Sequence, residues 1–291
     1  MKLMRFKKIY FAISLFFLIP GMISLFLFGL KPAIDFTGGS LLELQFLDQG
    51  ENSNYSEANF KDSIASLYEA NVVQSSGDNK MIVKGKEITN QEKDEIVSQL
   101  NQVYGQVEVL RFETVGPVLG AELLKKTLAA VFLVSGIITF YVWKQFDELK
   151  YGVCAVLAML HDSLILIGAF SLLGHFFNVE VDVLFVTALL TTLSFSVHDT
   201  IVVYDRIREL KRKHTRFSFE EITSAAVLET LSRSINNSMT IIIMLLSLAI
   251  LGGDSIRWFV IALLIGAITG TYSSTFTAVP LLLVVGKKKI K

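Results

Sequence analysis

The sequence predicts an α-helical membrane protein with six transmembrane helices and one small α+β domain between the first two. Three observations predict it. Of 291 residues, 52% are hydrophobic, with a mean hydropathy of +0.53, more apolar than a soluble domain of this length. Six apolar runs are long enough to cross a bilayer. A polar gap of about ninety residues after the first run alternates between strand and helix patterns.

The first run follows a basic start (Lys2, Arg5, Lys7, Lys8) and extends from Ile9 to about Leu30. At 1.5 Å per residue it spans a hydrocarbon core of ~30 Å. No small-residue cleavage pattern follows, so it reads as a retained helix. Five more runs fall near 123–143, 151–173, 183–204, 235–251 and 256–285. The last is long. Either it tilts, or its end lies at the surface after Pro280.

The gap, 31–120, reads as a folded domain. Residues 41–47 suit a strand, and 56–70 have helical spacing with Phe60, Ile64, Leu67 and Tyr68 on one face. Residues 71–75 and 81–84 are short strands about a Ser-Gly-Asp-Asn turn. Thr89 and Glu92 form a capping-box pattern before a helix over 91–104, and Val107, Val109 and Phe112 belong to a last strand. The order β-α-β-β-α-β is that of a ferredoxin-like split βαβ domain.

Charge fixes the expected orientation. Lysine plus arginine and aspartate plus glutamate both number 27, which gives no reason to expect a nucleic-acid partner. The cations are segregated: the N-terminus, the short loop 144–150, the segment with Arg206, Arg208, Lys211, Arg212, Lys213 and Arg216, and the tail with Lys287, Lys288, Lys289 and Lys291. Six crossings put all four on one side, the cytoplasmic one by the positive-inside rule. The domains expected are 1–30 (cytoplasmic N-terminus and first helix), 31–120 (outer domain), 121–286 (five-helix bundle with a basic cytoplasmic loop 205–232) and 287–291 (basic tail), with both termini inside.

Asp199 is the residue most in need of explanation. It lies in the fourth run, with five apolar or small residues around Val202 and Val203 still to come before Asp205. An aspartate at mid-membrane costs about 2.5–3.5 kcal/mol on insertion scales, so it needs a partner, water or a proton. Burial disfavours its charged form, which suits a group that takes and releases protons. Arg233 begins the next crossing, where an ion pair with Asp199 is geometrically available. Asn236, Asn237, Ser234, Ser238 and Thr240 add polar groups there that suit helix packing. His161 and Asp162 lie ten residues into the third crossing, placed either to join a proton path or to cap each other. His198 points away from Asp199 around the helix, and Thr200 follows it. Gly116/Gly120 and Gly266/Gly270 permit close helix packing. The single cysteine, Cys154, and four scattered histidines give no metal site, and no phosphate-binding or nucleophile motif is present. No cofactor is expected.

Several segments resemble the SecF branch of the SecD/SecF family, in the expected order over nearly the whole chain. They are Asp35-Phe36-Thr37-Gly38-Gly39, Val115-Gly-Pro-Val-Leu-Gly120, Ala158-Met-Leu-His-Asp162, the stretch Ser196 to Glu209, and Ser232-Arg-Ser-Ile-Asn236. The resemblance implies half of an RND-type bundle in a bacterial inner membrane, pairing with SecD and assisting the SecYEG translocon, with YajC a further partner. It implies use of the proton-motive force on a translocating polypeptide, rather than an enzymatic reaction. It places Asp199 and Arg233 on the proposed proton path and Asp35–Gly39 at the base of the outer domain. His198 stands where the family usually has asparagine. The alternative is an RND-type proton-coupled exporter of a small molecule or lipid, which needs larger outer domains. An intramembrane enzyme has only His161, Asp162 and Asp199 to draw on.

Overall fold

The computed structural model describes residues 3–47, 57–65, 68–75, 79–146 and 148–287. The chain forms two compact units, Met1–Lys31 with Ala129–Lys291, and Pro32–Leu128. Six helices among the described residues are long and apolar enough to cross a membrane.

In the first unit, α1 (Lys7–Phe28) buries only Ser14, Gly21 and Ser24. Those three small residues meet α6 (Leu149–Phe177) and the break before the C-terminal helix. Ser24 and Ser171 share a hydrogen bond of 2.9 Å, Ser14 and Thr277 one of 3.0 Å, and a side chain on Gly21 would touch the Gly168 backbone at 3.0 Å. The outward face is apolar, Phe26 being 90% exposed. Small polar residues inside and large apolar ones outside is the arrangement a lipid solvent favours.

Element ends follow local chemistry. α6 ends at Asn178 in the left-handed region, and Asp182 caps α7 (Val183–Lys213) by accepting from the Phe185 N–H at 2.7 Å. Ser218 and Glu221 form a reciprocal capping box at the start of α8 (Phe219–Leu251). The expected loop 205–232 is therefore only 214–218. Helix continues on both sides because polarity alone does not end a helix. Arg206 pairs with Glu229 across the hairpin and with Glu209 along α7, while Ile207, Leu210, Ile222 and Ala226 stay buried.

The last crossing is α9 (Asp254–Phe276) followed, after Thr277, by α10 (Ala278–Lys287). α10 does not lie at the surface: Ala278, Val279, Leu282 and Leu283 are buried against Tyr151, Tyr204 and Ile207 in the main core. Pro280 falls in the first turn of α10, where a missing N–H costs nothing.

The second unit opens with α2 (Ile34–Thr37). A four-stranded antiparallel sheet follows, ordered β2-β3-β1-β4, from β1 (Gly39–Phe46), β2 (Ala70–Ser75), β3 (Lys80–Gly85) and β4 (Val107–Val115). α3 (Glu57–Ile64) and α4 (Asn90–Tyr104) complete the βαββαβ order. Leu42 and Leu44 pair across from Val83 and Met81 on one face. Phe60, Ile64, Ile96 and Leu100, spaced by four along the two helices, pack with them in one core. The Thr89–Glu92 capping box is present. Leu67 and positions 76–78 of the expected turn lie outside the described residues. α5 (Pro117–Gln145) leads from this unit into the bundle.

Candidate functional site

The site is built where α9 lies against α7. A Cβ on Gly266 would sit 2.0 Å from Thr192 Oγ1, and one on Gly270 would be 3.2 Å from the Phe195 ring and 3.4 Å from the Ser196 backbone. Only glycine allows that approach, so this Gly-x-x-x-Gly pair sets the contact between the helices. Thr271 adds a hydrogen bond to Ser238 of α8 at 2.7 Å. On α7, Thr192, Ser196, Asp199, Thr200 and Val203 are all buried, at the three- and four-residue spacing that makes one helix face.

Asp199 is 5% exposed. Its Oδ2 accepts from Ser234 Oγ of α8 at 2.9 Å and from Ser274 Oγ of α9 at 3.2 Å. Both donors are neutral. A hydroxyl can donate to the charged form of a carboxylate and accept from the neutral one, so a serine can stay bonded to Asp199 in either protonation state.

A second carboxylate lies deeper. Asp162 on α6 is 1% exposed. Its Oδ2 accepts from Ser196 of α7 and Ser273 of α9, and its Oδ1 lies 3.0 Å from Nδ1 of His161. His161 Nε2 is buried without a hydrogen-bond partner among the described residues. His161 and Asp162 thus bond to each other, and two further helices close over the acid.

The structure separates the other sequence-predicted residues from these acids. Arg233 is exposed, on the side of α8 away from Ser234, because neighbours on a helix diverge by ~100°. The ion pair that the sequence leaves available to Asp199 is not formed, and two serine hydroxyls take its place. Asn236 and His198 are exposed too. Thr200 is buried and spends its hydroxyl on the Ser196 carbonyl, 2.9 Å away. Sequence reasoning missed Ser196, Ser273 and Ser274. A signal existed: the run Ser273-Ser274-Thr275 interrupts an otherwise apolar span, and Thr192, Ser196 and Thr200 recur every four residues. No cluster of three or more metal-ligating side chains occurs among the described residues.

In the other unit, Asp35, Phe36 and Thr37 form α2, and Gly38 and Gly39 follow at φ of 74° and 117°. A Cβ on Gly39 would meet the Gly85 carbonyl oxygen at 2.4 Å, and one on Gly38 the Pro117 Cα at 2.7 Å. A Cβ on Gly120 would lie 2.9 Å from the Gly38 nitrogen. Gly120 therefore accommodates the motif's backbone rather than another transmembrane helix. The glycine pair turns the chain from α2 into the central strand β1, through space that no side chain can share.

Two buried acids held by hydroxyls inside a six-span bundle, with a split βαβ domain between the first two spans, define a multi-pass membrane protein of the transporter kind. Residues 95–288 match the family described as "Protein export membrane protein SecD/SecF, C-terminal", and residues 23–46 match "SecD/SecF GG Motif". The chain belongs to the SecD/SecF family. It is 41% identical to "Protein translocase subunit SecF" of Thermobaculum terrenum, an alignment covering 95% of this chain and 91% of that one. The SecF of Anaerolinea thermophila is 38% identical over 96% and 92%. Among solved structures, SecDF of Thermus thermophilus, titled a translocon-associated membrane protein, superposes with a TM-score of 0.85 at 30% identity, covering 98% of this chain and 38% of that one. A SecDF in "Super-membrane-facing form" gives 0.70 at the same identity and coverage.

Proposed function

We propose that this chain is an auxiliary subunit of the Sec protein-export machinery, acting with SecD to couple the proton-motive force to translocation of secreted polypeptides. The observation that carries the proton coupling is Asp199: a carboxylate 5% exposed inside a membrane bundle, bonded to Ser234 and Ser274. Proton uptake removes a charge that the bundle otherwise has to compensate. That changes how α7 holds α9, and the helices repack. His161 and Asp162 form the second part of the proton path. The split βαβ domain acts on the emerging chain at the outer face.

A second unit is required. The chain matches 38% of a SecDF chain, and six-helix halves of this kind work as pseudo-symmetric pairs. SecD is that half. Arg233 with Asn236 and Thr240, exposed on a membrane-crossing helix, suits coverage by protein better than by lipid. Arg233 then acts on the proton path across the subunit contact rather than within this chain. The SecYEG translocon is the site of action, YajC an accessory partner, and the location is a bacterial inner membrane with both termini cytoplasmic. A small-molecule or lipid exporter needs an outer binding cavity, whereas the α+β unit has its core filled by Phe46, Phe60, Tyr68 and their neighbours.

The test is Asp199→Asn in the complex with SecD and the translocon. The complex assembles normally and loses the part of export that depends on an imposed proton gradient across vesicles. Normal gradient-dependent export by the variant defeats the reading.

A further inference from the structure

Asp162 and Asp199 belong to different helices, yet each takes one hydroxyl from α9. Ser273 donates to Asp162 and Ser274 to Asp199. Adjacent residues on a helix point ~100° apart, which is how one helix reaches two acids at once. We infer that Ser273 and Ser274 are positioning residues that make α9 the coupling element between two protonation sites, so that a proton taken up at one carboxylate loosens α9 from both.

The case rests on a difference between two kinds of hydroxyl. Each α9 serine has a second acceptor in its own helix. Ser273 Oγ lies 3.3 Å from the Gly270 carbonyl, and Ser274 Oγ lies 3.0 Å from the Thr271 carbonyl. Ser196 and Ser234 have the carboxylate as their hydrogen-bond acceptor, with no alternative among the described residues. When Oδ2, the oxygen that both serines share at each acid, takes the proton, it gains an O–H that must be donated. Ser196 or Ser234 accepts it, since neither has another partner to turn to. Ser273 or Ser274 then falls back on its own helix, where its hydroxyl keeps an acceptor. Protonation thereby keeps the contacts of α6, α7 and α8 and releases those of α9. No bond other than O–H is made or broken. Because the two serines share one stretch of backbone, release at one acid weakens the contact at the other.

The other groups around the acids leave this assignment intact. His161 is the titratable neighbour of Asp162, held at Nδ1. His198 on α7 and Arg233 on α8 are exposed and turned away. Tyr272, next to the serines, directs its hydroxyl to the Tyr10 carbonyl of α1 at 2.8 Å. Gly266 and Gly270 bring the α9 backbone onto Thr192, Phe195 and Ser196 of α7, and the serine contacts are the polar link there that protonation can break.

The inference depends on Asp199 binding a proton, as proposed above. The test separates the two. Infrared difference spectra of the chain with SecD in proteoliposomes, stepped in pH, show protonated-carboxyl bands. Bands lost in Asp199→Asn and Asp162→Asn assign the two groups. Ser274→Ala moves the Asp199 midpoint, and Ser273→Ala that of Asp162, to higher pH by about tenfold in proton affinity, since each loses a donor to its ionised form. Asp162→Asn also moves the Asp199 midpoint, and in Ser273→Ala/Ser274→Ala it no longer does. Thiol labelling of Cys154, buried in the native bundle, confirms that each variant is folded. The Asp162→Asn measurement needs neither serine variant and stands if those fail to fold. Unchanged midpoints, an Asp199 midpoint indifferent to Asp162→Asn, or no titrating band overturns the inference. Gradient-dependent export by Asp199→Asn alongside shifted midpoints defeats the functional reading and leaves the serine coupling standing.

Discussion

Gly266→Ala tests whether the α7–α9 contact holds the site. The added Cβ would stand 2.0 Å from Thr192 Oγ1, 2.7 Å from Cγ2 and 2.9 Å from Cβ. Thr192 is buried, with its hydroxyl bonded to the Ala188 carbonyl at 2.9 Å. Swinging the side chain away loses that bond, at about 1 kcal/mol. Overpacking a tight contact costs about 1–3 kcal/mol. Alanine returns about 1 kcal/mol through better helix propensity than glycine. The net is a destabilisation of about 1–3 kcal/mol. Gly136 on α5 has nothing within 4 Å of an added Cβ, so Gly136→Ala is neutral or stabilising by up to about 1 kcal/mol. The chain has one cysteine, Cys154, and it is buried in the bundle. A thiol-reactive fluorophore added during a thermal ramp in detergent therefore reports opening of this unit and nothing else. Gly266→Ala opens at lower temperature than wild type, and Thr192→Ala in the same chain recovers part of the loss, the coupling expected of residues in contact. Equal melting of Gly266→Ala and wild type, or a double variant no more stable than Gly266→Ala, refutes the reasoning.

Asp162→Ala strands the hydroxyl of Ser196 and the Nδ1 of His161, costing about 1–3 kcal/mol for each group left unpaired, while Ser273 turns to the Gly270 carbonyl; Asp162→Asn keeps a carbonyl acceptor and loses less, in the same Cys154 assay. Gly39→Ala, at a φ of 117° with the Gly85 carbonyl in the way, disrupts the β1–β3 pairing, read as lost amide-exchange protection over 81–84 while α6 and α7 stay protected. Burial pushes the Tyr68 phenol up to about 12. Its folded value lies above the unfolded one near 10, so its contribution is complete below pH 10 and is lost as the pH rises towards 12. Absorbance at the tyrosinate wavelength shows a late-titrating amplitude that falls by one tyrosine in Tyr68→Phe. Ser218→Ala removes the cap of α8 at a cost of about 1 kcal/mol, seen as faster amide exchange over 219–224.

Patterns that act within a few residues of chain were legible in the sequence. Each spanning run was visible because lipid demands about twenty apolar residues in a row. The βαββαβ order was visible because strand and helix periods differ and Thr89–Glu92 announces a helix start. Asp199 and Asp162 were visible because a carboxylate in an apolar run is costly. Boundaries set by contact were not. The sequence suggests a helix extension over Asp205–Glu209 but not the full hairpin of α7 and α8 within 205–232, because the Arg206–Glu229 pair and the buried stripe join residues far apart in the chain. Whether the long last run tilts or ends at the surface after Pro280 stays open in the sequence, because the burial of α10 depends on where α6 and α7 stand.

The carboxylates' partners were decided by tertiary structure alone. Sequence offers Arg233 as the natural mate for Asp199, since charge is what a one-dimensional reading can match. The fold chooses Ser234, one residue on, because a 100° step turns Arg233 outward and Ser234 inward. It adds Ser273 and Ser274 from a helix more than seventy residues away, brought close by glycines whose role appears only when another backbone fills the space beside them. The sequence by itself determined that this protein holds ionisable groups within a membrane. Three-dimensional packing decided that hydroxyls clasp them, because a serine's short side chain reaches an acid only where helices touch.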